Sequence, residues 1–228
     1  MSPRCSAYVG GRVAEVQVKF CGMTRSEDAL AAIALGASYI GTVFAGGPRH
    51  LTTERAAELW AGIPADIPRV GVFGADALEQ LSMTARTVEL AVVQLHGDPR
   101  AADIRAARAR FGGQIWAVAR ADGSLLPDWT EELFREADAV LLDARVPGSL
   151  GGTGVTLEWE ALARTLESVR GTTPVVLAGG LRPENVATAI RLLSPDVVDV
   201  SSGVERVPGE KDHSRMRAFM DAVRGSRT

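Results

Sequence analysis

Lysine is nearly missing from this chain of 228 residues. Of its 25 lysine and arginine residues only two, Lys19 and Lys211, are lysine. Where arginine has so largely displaced lysine, the two that remain are candidates for a chemical requirement. Cysteine is as scarce, with Cys5 and Cys21 alone. Cys5 falls in an N-terminal stretch, MSPRCSAYVGGRVAE, that reads as a flexible extension over residues 1–14, while Cys21 ends an apolar run. That pair does not suggest a structural disulfide, and a reducing cytoplasm fits it. The N-terminal stretch has no apolar signal core, and no run approaches the ~18 apolar residues of a membrane span. The net charge of −3 offers no basic surplus for nucleic acid. There are three histidines, and His96 has no second His or Cys at ligand spacing, so no metal site is expected. Neither GxGxxG after the first apolar run nor Gly-Lys-Ser/Thr after a glycine loop is present, which removes the usual dinucleotide and P-loop signatures.

What is there is an alternation of apolar runs and helical patterns. The runs fall at 17–21, 38–44, 69–73, 90–96, 114–119, 137–144, 173–180 and 197–203. Helical patterns follow at 26–35, 52–63, 77–87, from Pro99 to about 110, 126–136, 157–169, 182–193 and 213–223. Ser26 and Thr52 stand at cap positions, Gly36 stands as a stop, and Pro183 opens the seventh helix. The runs are mostly continuous Val, Ile and Leu, as in parallel strands covered by helices. Eight strand–helix units in a chain of this length predict a single α/β domain, a (β/α)8 TIM barrel over residues 15–228. An open doubly wound sheet would need no eighth unit.

In such a barrel, function collects at the C-terminal ends of the strands. Alternation puts Val16, Val18 and Phe20 toward the helices and Gln17, Lys19 and Cys21 toward the interior. An inward Lys19 demands a partner, because a buried unpaired ammonium is costly. Cys21 above it reads either as a small apolar filler or as a thiol disposed to ionise by the nearby cation. The same parity turns Asp143 inward on the sixth strand; an alternative is that it caps the glycine loop beyond. Arg49 follows the second strand, where a guanidinium can grip a carboxylate. Gln94 and His96 top the fourth strand. Gly179–Gly180 and Ser201–Ser202–Gly203 follow strands seven and eight, where barrels bind phosphate. A third glycine-rich loop, 146–154, lies beside them.

Together these segments resemble a known family. KFCGMTRSEDA (19–29), RVGVF (69–73), VVQLHGD (92–98), LLDA with GGTG (141–144 and 151–154), LAGGLRPENV (177–186) and VDVSSGVE with PGEKD (198–205 and 208–212) resemble phosphoribosylanthranilate isomerase, in order, from about Val16 to Val223. The resemblance implies a barrel of tryptophan biosynthesis that performs an Amadori rearrangement on a phosphorylated small molecule, with no metal and no organic cofactor. It implies Cys21 as general base, Asp143 as general acid, Arg49 on the anthranilate carboxylate, and Gly180, Ser201, Ser202 and Gly203 on the phosphate. Lys19, Gln94, His96, Gly152, Gly179 and Asp199 complete the expected substrate-binding set. The implied enzyme is cytoplasmic and a monomer or homodimer, with neither nucleic acid nor membrane as partner. Two segments depart from the family pattern. GTVFAGGPRH puts Thr42 and a short glycine loop before Arg49, and Val155, Leu157, Glu158 and Trp159 follow GGTG. A related isomerase running on two aspartates is disfavoured by Cys21, and a lysine-dependent synthase by the shortage of lysine.

Overall fold

The computed structural model describes residues 15–75, 78–144 and 153–226. The expected N-terminal extension, Gly152 and most of the third glycine loop lie outside the described residues. Eight strands, β1 (Gln17–Phe20), β2 (Tyr39–Val43), β3 (Arg69–Phe73), β4 (Val92–Leu95), β5 (Gln114–Ala121), β6 (Ala139–Ala144), β7 (Val175–Ala178) and β8 (Val197–Val200), close in sequence order into a barrel. All eight neighbouring pairs are parallel, and β8 closes on β1 with Lys19 level with Asp199. The helices are α1 (Ser26–Leu35), α2 (Thr53–Trp60), α3 (Leu78–Thr87), α4 (Ala101–Arg108), α5 (Thr130–Glu136), α6 (Thr153–Val169), α7 (Val186–Leu193) and α8 (His213–Gly225). No described helix is long and apolar enough to cross a membrane.

Strand alternation divides the apolar residues into two cores. Val70, Val92, Trp116, Val118, Ala139, Leu141, Val176 and Val197 fill the barrel interior. Val18, Phe20, Ile40, Val93, Leu142 and Val198 belong to the larger core between sheet and helices. This parity is the one expected for β1 and β6, and it fixes which polar residues enter the barrel.

α1 spans the expected 26–35, but caps and several helix starts differ where local hydrogen bonding overrode the simple signals. Arg25, not Ser26, is the N-cap of α1, and the Ser26 hydroxyl donates instead to Leu59 O at 2.9 Å. Thr52 does cap α2, accepting from Arg55 N, and Gly36 ends α1 at φ 87°. Pro99 precedes the cap of α4 instead of opening the helix; Asp103 accepts from the Arg100 amide at 2.8 Å. Pro183 lies in a turn closed by Asn185, whose side chain accepts from Arg182 N at 2.7 Å, and α7 begins only at Val186. α5 starts late for a similar reason, since Pro127 O takes both the amide and the hydroxyl of Thr130. α6 begins at Thr153, earlier than the expected 157. Beyond β8 a 3-10 turn (Ser202–Val204) leads into an antiparallel hairpin, β9 (Glu205–Val207) and β10 (Glu210–Lys211), which the apolar pattern did not reveal.

Candidate active site

The inward lysine has found its partners. Lys19 Nζ donates to Asp199 Oδ2 at 2.7 Å and to Gln94 Oε1 at 3.0 Å. Gln94 Nε2 in turn lies 3.4 Å from His96 Nδ1, so a polar chain crosses the barrel from β8 through β1 to β4. Burial works against the ammonium, yet Asp199 and Cys21 outweigh it and hold the Lys19 pKa above the ordinary lysine value. Asp199 Oδ1 is buried and has no hydrogen-bond partner among the described residues. A buried carboxylate oxygen left without a donor is the natural acceptor for a ligand hydroxyl.

Cys21 stands directly after β1, its amide donating to Val200 O at 2.9 Å, and its side chain is buried. Gly41 on β2 makes room for it: a Cβ there would lie 2.9 Å from Cys21 Sγ and 3.2 Å from Lys19 Cε. The expected acidification by Lys19 is present but does not prevail. Burial pushes the Cys21 thiol up, Lys19 and Lys211 oppose it, Asp199 adds to it, and the net direction is upward. Thr42, the departure in β2, has the opposite parity to Gly41 and is fully buried, away from the barrel interior.

Asp143 lies one residue before the end of β6 on the interior side, almost buried, level with Arg120 of β5 and Ala178 of β7. Arg120 is held aside by Asp98 at 2.6 Å and by His96 O at 2.9 Å. Burial lowers the His96 pKa, and nearby Asp143 only partly offsets it, which favours a neutral imidazole.

Arg49 reaches the same mouth but not as a free cation. Its Nε donates to Glu205 Oε1 at 2.8 Å and its Nη2 to Glu205 Oε2. Glu205 also accepts from Lys211 Nζ at 2.8 Å, and Lys211 Nζ donates to Cys21 O at 2.6 Å. Burial outweighs Glu205 and lowers the Lys211 pKa, while the two cations overcome burial at Glu205 and hold its carboxyl below the usual range. Glu205 and Gly41 were missed from sequence. Lys211 stood out by its rarity and its place in PGEKD, without a role. For Glu205 the only trace was its place at the end of VDVSSGVE.

The loops after β7 and β8 meet. Gly179 and Gly180 have φ of 94° and 69°, the left-handed backbone that lets successive amides converge on an anion. Gly203 is pressed against the loop after β7, where an added Cβ would lie 1.8 Å from Leu181 O. The SSG turn therefore packs on Leu181, the residue that follows Gly179–Gly180. Among the described residues no group of three or more His, Cys, Asp and Glu is placed to hold a metal ion.

A closed parallel barrel with polar and charged side chains gathered at the C-terminal ends of its strands is the architecture of a barrel enzyme. A family model described as N-(5′-phosphoribosyl)anthranilate isomerase matches residues 18–222, and the chain belongs to this family. A relative of that name from Pseudomonas fluorescens (strain Pf0-1) is 40% identical over 92% of this chain and 98% of its own. The phosphoribosylanthranilate isomerase of Thermotoga maritima superposes with a TM-score of 0.78 at 34% identity, over 92% of this chain and 99% of the other. A further isomerase structure, bound to reduced 1-(o-carboxyphenylamino)-1-deoxyribulose 5-phosphate, gives 0.77 at 32% identity, over 92% and 99% of the two chains.

Proposed function

We propose that this chain isomerises N-(5′-phosphoribosyl)anthranilate to 1-(2-carboxyphenylamino)-1-deoxyribulose 5-phosphate in tryptophan biosynthesis, with Cys21 as base and Asp143 as acid. The observation that carries the assignment is the convergence of Cys21, Asp143, Arg49 and the two glycine loops on one mouth. The Asp143 carboxyl gives its proton to the furanose ring oxygen. The bond from that oxygen to C1′ breaks, and the anilino nitrogen supplies the electron pair that makes the C1′ iminium. Cys21, as thiolate, takes the proton from C2′, whose bonding pair becomes the C1′–C2′ double bond of an enolamine. Protonation at C1′ and loss of the C2′ hydroxyl proton give the ketone, so the reaction balances without an oxidant. A thiol whose pKa is raised is a stronger base once ionised, and positioned acid and base groups each contribute ~10²–10⁴-fold.

The remaining residues hold the substrate. Gly179, Gly180, Ser201, Ser202 and Gly203 take the phosphate, Asp199 and Gln94 the sugar hydroxyls under the hold of Lys19, and Arg49 the ring carboxylate. His96, neutral, lines the wall beside Asp143, and the family resemblance alone gives Gly152 a binding role. The assembly proposed is a monomer or a homodimer. A thiol that must stay reduced supports a cytoplasmic location. The test is the loss of fluorescence of enzymatically generated phosphoribosylanthranilate: the protein should accelerate it far beyond the spontaneous decay. No acceleration would leave a barrel that only binds a phosphorylated ligand.

A further inference from the structure

A guanidinium offers a carboxylate two edges, one made by Nε and Nη2 and one by Nη1 and Nη2. At Arg49 the first edge is filled by both oxygens of Glu205. Glu205 is itself fixed from behind. Its Oε1 also accepts from Lys211 Nζ at 2.8 Å and from Gly209 N at 3.3 Å, and its side chain is 4% exposed. The stem of Arg49 runs over Gly22, where a Cβ would come within 2.5 Å of Arg49 Cδ. Held below by the backbone after Cys21 and at one edge by Glu205, Arg49 has its Nη1–Nη2 edge left over. Among the described residues no acceptor engages Nη1.

We infer that Glu205 is a positioning residue that fixes this free edge of Arg49 as the reader of the substrate's ring carboxylate, and so sets the preference for carboxylated substrates. The inference rests on Arg49 being that reader. An arginine on a mouth loop has many rotamers, and ordering it during binding costs affinity. Glu205 orders it beforehand, without occupying the edge the substrate needs. The hairpin that carries Glu205 is fastened to the same frame as the rest of the site. Thr24 Oγ1 donates to Gly209 O, and Lys211 Nζ reaches Cys21 O at 2.6 Å and Ser201 O at 3.3 Å. One carboxylate therefore places the carboxylate reader relative to the base and to the phosphate loop.

The experiment measures binding of reduced 1-(2-carboxyphenylamino)-1-deoxyribulose 5-phosphate and of its counterpart without the ring carboxylate, to wild type, E205Q and R49A. Wild type should prefer the carboxylated ligand by about 10–100-fold, and R49A should lose that preference. E205Q should lose about tenfold in affinity for the carboxylated ligand and less than about twofold for the other. Equal losses for both ligands would make Glu205 a structural residue only and overturn the inference. If R49A loses the preference and E205Q keeps it, the inference falls while the role of Arg49 stands. If R49A keeps it, the assignment of Arg49 falls and takes Glu205 with it. Should E205Q not fold at the assay temperature, E205D carries the test. It keeps the charge for Lys211 but draws the carboxylate back by one methylene, so its preference should lie between those of wild type and R49A; a wild-type preference there overturns the inference.

Discussion

Gly41 shows how much of the chemistry depends on a missing methyl. Its alanine variant would place a carbon 2.9 Å from the Cys21 sulfur and 3.2 Å from Lys19 Cε, at the point where both enter the barrel. Overpacking of this kind typically costs ~1–3 kcal/mol, and here the atom with room to yield is the thiol. G41A should therefore lower kcat by about tenfold or more while KM changes by less than about threefold, since a small displacement of a reacting group costs mainly rate. Steady-state kinetics on the purified variant check this, and a loss confined to KM would show that the thiol had not moved. The role of Gly41 was not legible in the sequence, because it depends on the register of β2 against β1. Lys19 and Cys21 were legible, because a period-2 pattern states which side chains share a face. The partners of Lys19 became visible only when β8 closed against β1 and brought Asp199 level with it.

The loops after β7 and β8 act as one element because Gly203 has no side chain. A Cβ there would overlap Leu181 O at 1.8 Å, a contact with backbone that no rotamer change relieves. G203A should part the two loops, raise KM for the phosphorylated substrate by about tenfold or more and destabilise the fold by roughly 1–3 kcal/mol. Inorganic phosphate as a competitive inhibitor reads the first effect and urea unfolding the second; unchanged phosphate inhibition would detach these loops from phosphate binding. At this scale the strands were the easier reading, since eight continuous apolar runs bounded by helical patterns leave few other arrangements. The helix caps at Arg25, Arg100 and Asn185 were harder. Each was decided by a hydrogen bond of a neighbouring side chain or turn, which a Ser or Pro signal does not encode. The β9–β10 hairpin was hidden for another reason: it is five residues of strand, mostly polar, held by Thr24, Lys211 and Glu205 and not by an apolar face.

For the molecule as a whole, a further buried carboxylate ties the two ends of the helical shell together. Asp28 is fully buried at the start of α1 and accepts from Arg25 Nε and Nη2, from Lys211 N at 3.1 Å and from His213 Nε2 at 2.8 Å. It thereby joins the first helix to the last and to the hairpin. Burial raises its pKa, but Arg25, Lys211 N and His213 outweigh burial, and the net direction is downward. A carboxylate depressed in the folded state contributes stability above its unfolded value, about 4, and that contribution is lost as pH falls through the lower folded value. D28N should therefore cost about 3 kcal/mol at pH 7, as breaking a buried ion pair does, and should flatten the loss of stability on acidification. Urea melts of both proteins between pH 7 and 3 measure this; parallel curves would remove Asp28 from the acid response. The roles of Cys21 and Asp143 are tested most directly by one comparison, the rate of loss of phosphoribosylanthranilate fluorescence with wild type, C21S and D143N. A serine hydroxyl cannot replace a thiolate base near neutral pH, and an amide has no proton to give the ring oxygen. Each variant should be slower by about 100-fold or more while still binding the reduced product analogue within a few-fold of wild type. Either variant keeping more than about a tenth of the wild-type rate would contradict the assignment of its residue as base or acid.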